Sequence, residues 1–192
     1  WVTGHQELEL ALVKLYSVTQ DKKYLTLAHW LLEERGHKYA KGYTWTEWKD
    51  TAYAQDVVPV REQKEITGHA VRAMYLYTGA ADVAALTGDE GYMKAMQAVW
   101  EDVVFRNMYI TGGIGSSGSN EGFSTDYDLP NEQAYCETCA SVGMVFWNQR
   151  MNLLTGNSQF IDVLERSLYN GARDGLSLSG DRFFYGNPLA SD

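Results

Sequence analysis

Three threonines, Thr19, Thr87 and Thr155, fall 68 residues apart along the chain. Each opens a turn triplet, Thr19-Gln20-Asp21, Thr87-Gly88-Asp89 or Thr155-Gly156-Asn157, and an aromatic follows each at the same interval: Tyr24, Tyr92 and Phe160. Apolar residues recur at helical spacing on both flanks of a turn, as in Leu8, Ala11, Leu12 and Leu15 before the first and Leu27, Ala28, Leu31 and Leu32 after it. One unit therefore reads as helix, tight turn, aromatic-anchored helix and long loop. A single hairpin cannot bury its own apolar face, so such units stack on their neighbours. The prediction is an all-α protein, an α/α toroid of helical hairpins with the first helix of each pair inside and the second outside. An open solenoid is the alternative. Three hairpins are half of an (α/α)6 barrel, so residues 1–192 are expected to be one partial barrel domain, part of a longer chain.

The pattern predicts helical hairpins over 3–35, 66–107 and 137–176, with Gly36 as a C-cap. Long loops at 37–65 and 109–135 separate them, and a short hairpin or extended tail follows. Loops of that length in a compact helical domain are either functional or plain lids. The 68-residue period also aligns chemistry, since Glu137 falls at the position of His69. His5 lies four residues beyond the matching place in the first unit, one helical turn along the same face if the helix has begun there. Ionisable residues at the same end of neighbouring inner helices converge on the toroid mouth, where a small-molecule pocket would form.

Bulk properties narrow the choice of partner. The chain is long enough for one core, at 192 residues and 45% hydrophobic. A net charge of −9 and a pI near 4.9 argue against nucleic acid and anionic membranes, and no apolar run approaches the roughly 20 residues of a membrane helix. The first residue is Trp1 rather than Met, so the lack of a visible targeting segment carries no weight. A reduced-thiol site would favour the cytoplasm. The sequence leaves open a homo-oligomer.

The segment 120–143, NEGFSTDYDLPNEQAYCETCASVG, concentrates the reactive groups. It holds both cysteines, with Glu121 and Glu137 sixteen positions apart. The glutamates fit a catalytic carboxyl pair of the kind glycoside hydrolysis needs; equally, Glu121 reads as a solvated loop acid and Glu137 as a helix N-terminal carboxylate. Cys136 and Cys139 read as half a zinc site, a redox pair or two buried apolar thiols. Glu137 and Cys139 point about 200° apart on a regular helix, so they share a metal only where the helix has not begun or is distorted. His5 and His69 each close a Thr-Gly-His triplet, fitting either sugar contacts or caps, whereas His29 and His37 read as surface residues. Tyr43, Trp45, Trp48, Tyr53, Tyr127 and Tyr185 are stacking platforms for a sugar or plugs for the toroid ends.

Taken together these motifs resemble glycoside hydrolase family 127, the bacterial β-L-arabinofuranosidases. The carriers are Thr111-Gly112-Gly113-Ile114-Gly115, Glu121, Asp126-Tyr127-Asp128-Leu129-Pro130-Asn131, Glu137-Thr138-Cys139-Ala140-Ser141, the opening Gly4-His5-Gln6-Glu7 and Thr67-Gly68-His69-Ala70-Val71-Arg72. The resemblance covers essentially the whole chain. It implies an (α/α)6 catalytic barrel, a retaining exo-glycosidase acting on a small carbohydrate, and a zinc held by one glutamate and three cysteines, one of them the nucleophile. By motif, Glu121 would be the acid/base, Glu137 and Cys139 zinc ligands, and His5, His69 and Tyr185 sugar contacts. The other two cysteines have no counterpart in these 192 residues, and Cys136 is not among the family's ligands. A non-catalytic carbohydrate-binding helical module is the alternative, as is another sugar specificity on the same scaffold.

Overall fold

The computed structural model describes residues 4–37 and 51–190. Tyr43, Trp45 and Trp48, among the expected aromatic platforms, lie outside them. The helices are α1 (Leu8–Thr19), α2 (Lys22–Glu33), α3 (Ala70–Thr87), α4 (Glu90–Arg106), α5 (Thr138–Thr155) and α6 (Gln159–Ser167), the last running on through a π-helical turn, Leu168–Ala172. Each hairpin packs on itself, and α3 packs against both α1 and α5. The first helices thus stand side by side with their partners behind them, an arc of an α/α toroid. None of the described helices is long and apolar enough to cross a membrane.

The repeated turn has a repeated physical cause. Thr19, Thr87 and Thr155 each donate their hydroxyl to the carbonyl four residues back, at 2.7, 2.8 and 2.8 Å. Gln20, Gly88 and Gly156 then take left-handed φ angles of 59°, 72° and 71° and end the helix. Asp21 and Asp89 accept from the first backbone N–H groups of the next helix, and Asn157 does the same for Gln159 at 3.0 Å. Tyr92 and Phe160 bury completely, and Tyr24 packs against the same core half-buried.

The core fills the space between inner and outer helices. Trp147 of α5 stacks on Tyr77 of α3 at 5.1 Å, and Trp100 of α4 meets Phe160 of α6 at 4.9 Å while donating to Asn148 at 2.7 Å. Two glycines let the inner helices approach closely. A Cβ on Gly79 would stand 2.7 Å from Glu9, and one on Gly143 2.6 Å from Met74.

Four details differ from the pattern-based reading. The helix expected from residue 66 begins at Ala70, because Gly68 has φ 72° and His69 is the extended N-cap. The first inner helix begins only at Leu8, so His5 precedes it and is not a turn farther along its face. The residues 51–65 form two short 3-10 turns, Thr51–Ala54 and Val60–Glu62. Gly36 serves a close approach to Val58 and Pro59 rather than capping, since the C-cap is Glu34. The tail is the expected short hairpin, with Leu176 bridged to Phe183.

Candidate active site

The N-termini of α3 and α5 stand at one mouth of the arc, with His69 and Glu137 at their N-cap positions as the 68-residue period aligns them; only His69 caps through its side chain. His69 is buried. Its Nδ1 accepts from the Arg72 backbone N–H at 3.3 Å, and its Nε2 lies 3.1 Å from Glu121 Oε2. Burial, then the charge of Arg72 and the neighbouring His5, pushes its pKa down to about 3. The His69–Glu121 contact is therefore a hydrogen bond from a neutral ring rather than an ion pair.

Glu121 reaches this ring from a tight turn. Ser117 and Gly122 exchange two backbone hydrogen bonds of 3.0 Å, and Glu121 itself takes φ 52°. The turn is fastened to α3 by Ala70 N–H to Glu121 C=O at 3.1 Å and Phe123 N–H to Gly68 C=O at 3.0 Å. The Glu121 side chain remains 36% exposed, open to an incoming substrate.

The second half of the site lies at the start of α5. Glu137 has φ −60° and ψ 133°, so the helix has not begun there, and Cys139 is in its first turn. This is the condition under which residues two apart can face one point. Glu137 is buried, and its Oε2 has no hydrogen-bond partner. Burial, followed by contact with the Glu137 carboxylate, pushes the Cys139 thiol up to about 11. A buried carboxylate oxygen with an unused lone pair beside a thiol fits part of a tetrahedral zinc site. Among the described residues no third His, Cys, Asp or Glu completes such a cluster.

An extended segment, residues 184–187, runs alongside. Thr138 N–H donates to Tyr185 C=O at 2.9 Å, Thr138 Oγ1 to Phe184 C=O at 2.8 Å, and Asn187 N–H to Cys136 C=O at 3.2 Å. This brings Tyr185 to the site. Polar contact with Glu137, then burial, raises the pKa of its hydroxyl. The Tyr135 ring meets the Tyr185 ring edge-on at 6.4 Å. Burial, then the Glu137 and Glu121 charges, pushes Tyr135 up to about 12.

His5 joins through its ring, 5.5 Å from that of His69 and perpendicular to it. Tyr53 covers another side of His69 at 5.1 Å. Tyr127 is 70% exposed and bonded through its backbone to Arg106 at the end of α4. Cys136 turns away from Cys139 with φ 37°, burying its thiol with Tyr109 and Ala134. A cavity of about 780 Å³, lined by Thr111, Asp174, Phe184 and Asn187 among others, borders the 184–189 segment but includes none of Glu121, His69, Glu137 or Cys139.

Tyr135 and Arg72 were not singled out by sequence reasoning. Each lies inside or beside a quoted motif, yet neither has a period partner or an unusual residue type to mark it. Gln6 and Gln55 were missed for the same reason. Gln55 Nε2 donates to the carbonyls of Thr67 and His69 at 2.9 and 3.1 Å, and Gln6 donates to Gln55 Oε1 at 2.7 Å, tying the 50s loop and the residues before α1 to the His69 backbone.

A helical toroid with two carboxylates, a thiol and tyrosine hydroxyls gathered at its mouth has the architecture of a carbohydrate-active catalytic domain. The family defined as β-L-arabinofuranosidase, GH127 catalytic domain, matches residues 1–192, and this chain belongs to it. It is 44% identical over 199 residues to the non-reducing end β-L-arabinofuranosidase of Bifidobacterium longum subsp. longum, with 97% of this chain and 30% of that protein aligned. Among solved structures, a GH127 β-L-arabinofuranosidase from Geobacillus stearothermophilus superposes with a TM-score of 0.92 at 49% identity, covering 98% of this chain and 31% of the other. A second GH127 β-arabinofuranosidase gives a TM-score of 0.89 at 52% identity, covering 100% and 29%. The chain thus spans about a third or less of the length of these relatives.

Proposed function

We propose that this chain contributes to the catalytic domain of a zinc-dependent, retaining exo-glycosidase that hydrolyses β-L-arabinofuranosides. The observation that carries this reading is the placing of two unlike carboxylates at the starts of neighbouring inner helices: Glu121 on His69, the N-cap of α3, and Glu137, with a buried unpartnered oxygen, two residues from Cys139 at the start of α5. The relatives' shared activity supports the choice of sugar.

Glu121 is the general acid/base. Half-exposed, it can approach the glycosidic oxygen, while His69 holds it from behind. It protonates the leaving oxygen in the first step and takes a proton from water in the second. Glu137 and Cys139 would hold the zinc, the buried Glu137 Oε2 being free to accept it. When bound, zinc lowers the pKa of the thiols that coordinate it, so that they are thiolates at neutral pH. The nucleophile is a cysteine of the same zinc site lying outside these 192 residues. His5 and Tyr185 contact the sugar hydroxyls, and Tyr135 orders the carboxylate and hydroxyl network between the two halves.

The test is turnover of p-nitrophenyl β-L-arabinofuranoside by the whole protein, before and after chelation. Activity should be lost with the metal and return with zinc, and Glu137→Gln should lower zinc content with no loss of fold. Tight arabinofuranoside binding with no turnover would make the protein a binding module, and turnover indifferent to chelation would remove zinc from the account.

A further inference from the structure

The cap at the start of α3 fixes more than a helix end. A ring nitrogen that accepts a hydrogen bond carries no proton, and His69 Nδ1 accepts from the Arg72 backbone N–H. In a neutral imidazole the proton must then be on Nε2. Nε2 lies 3.1 Å from Glu121 Oε2, so the ring donates to that oxygen. We propose that His69 is a positioning residue: a neutral donor locked in one tautomer by the helix cap, which occupies Oε2 of Glu121 and assigns the transferred proton to Oε1. The inference rests on the reading of Glu121 as acid/base.

The assignment follows from donor and acceptor matching. A proton on Oε2 would set an O–H against an N–H, two donors facing each other. A proton on Oε1 leaves the Oε2 hydrogen bond intact. In the first step the O–H bond at Oε1 breaks as the leaving oxygen takes the proton, and Glu121 becomes a carboxylate. In the second, Oε1 removes a proton from the attacking water and the acid is restored. The imidazole proton stays on Nε2 throughout.

The surroundings are built to keep the ring where it is. The His69 N–H donates to Tyr53 C=O at 3.2 Å, and its C=O accepts from the Gln55 carboxamide at 3.1 Å. Gln55 is oriented by Gln6, and both are almost completely buried. The Glu121 turn is bonded to the next residue, Ala70, so donor and acceptor ride on one backbone frame. With both ring nitrogens engaged, His69 has no ring N–H left for a sugar hydroxyl.

Two measurements on the whole protein test this. Nitrogen-15 spectra of histidine-labelled protein should show one imidazole protonated at Nε2 and bare at Nδ1, unchanged from neutral pH to pH 5. That resonance should vanish in His69→Ala. A protonated Nδ1, or an imidazolium at neutral pH, overturns the proposal without recourse to any variant's activity. In His69→Ala, kcat for alkyl or sugar leaving groups should fall on the order of 10²-fold. The first-step rate on nitrophenyl substrates, whose leaving group needs no proton, and substrate binding should stay within about threefold. A KM rise shared by both substrate classes would make His69 a sugar contact and overturn the positioning role. If Glu121→Gln retains full turnover of alkyl substrates, it is the acid/base reading that fails, whereas the tautomer stands or falls on the spectrum alone.

Discussion

His69 is a nearly buried imidazole faced by Arg72, His5, Tyr53 and Glu121. Its pKa falls from the ordinary 6.5 to about 3 in the folded protein, chiefly through burial. The unfolded chain therefore binds a proton that the folded one refuses. Stability contributed by the neutral ring is fully present above about pH 6.5 and drains away as pH falls toward 3. Urea titrations across pH 7 to 4 should show a decline in unfolding free energy that is shallower in His69→Gln. An equal slope in both would contradict the assigned burial effect. Glu121, with φ 52°, combines local strain with exposure. Such backbone strain persists only where surrounding bonds over-determine it, here the two turn hydrogen bonds and the clamp to α3.

Among elements, the loops that hold the site are fixed by close backbone approaches. A Cβ on Gly68 would lie 1.9 Å from the Ala52 carbonyl oxygen at φ 72°, so both space and conformation reject a side chain. Gly68→Ala should lower stability by more than about 1 kcal/mol, and should reduce activity further because His69 is the next residue. Thermal melting and turnover of the variant measure the two effects. Deeper in the first hairpin, Glu9 and Arg35 face each other at 3.9 Å, both almost fully buried, with neither Glu9 oxygen hydrogen-bonded. Burial raises the Glu9 pKa against the pull of Arg35. Arg35→Met should cost about 3–5 kcal/mol, since it strands a buried carboxyl group; a change under about 1 kcal/mol in urea unfolding would contradict a working pair. The 68-residue period made the hairpins and turns legible, because threonine back-bonding leaves a fixed letter, and the left-handed residue and the cap a narrow choice, Gln or Gly and Asp or Asn. The starts of the inner helices were less legible, since the N-cap depends on which loop reaches it. His5 illustrates this: its spacing matches a helix that begins only at Leu8. Gln55 and Tyr135 left no signal at all, as their importance comes from carbonyls and hydroxyls brought together by distant segments.

At the scale of the molecule, three hairpins form an arc whose inner helices aim one set of ends at a common mouth. The acidic chain, at −9, would favour no polyanion, and the mouth carries hydroxyl, imidazole and carboxylate groups suited to a neutral sugar. The candidate site was legible in the sequence as a set of residues, and a division of labour among them only as what the family resemblance implies. Period and motif brought Glu121, His69 and Glu137 to attention, and the folded backbone adds the physical difference between them, a solvent-reachable Glu121 and a buried Glu137 with an unused oxygen. That division is the central claim, and leaving-group dependence in Glu121→Gln tests it most directly. In the whole protein, this variant should lose at least about 10²-fold in turnover of alkyl β-L-arabinofuranosides while keeping its zinc content and its first-step rate on strongly activated nitrophenyl substrates. Loss of zinc from Glu121→Gln, or an equal loss of rate on every leaving group, would contradict it.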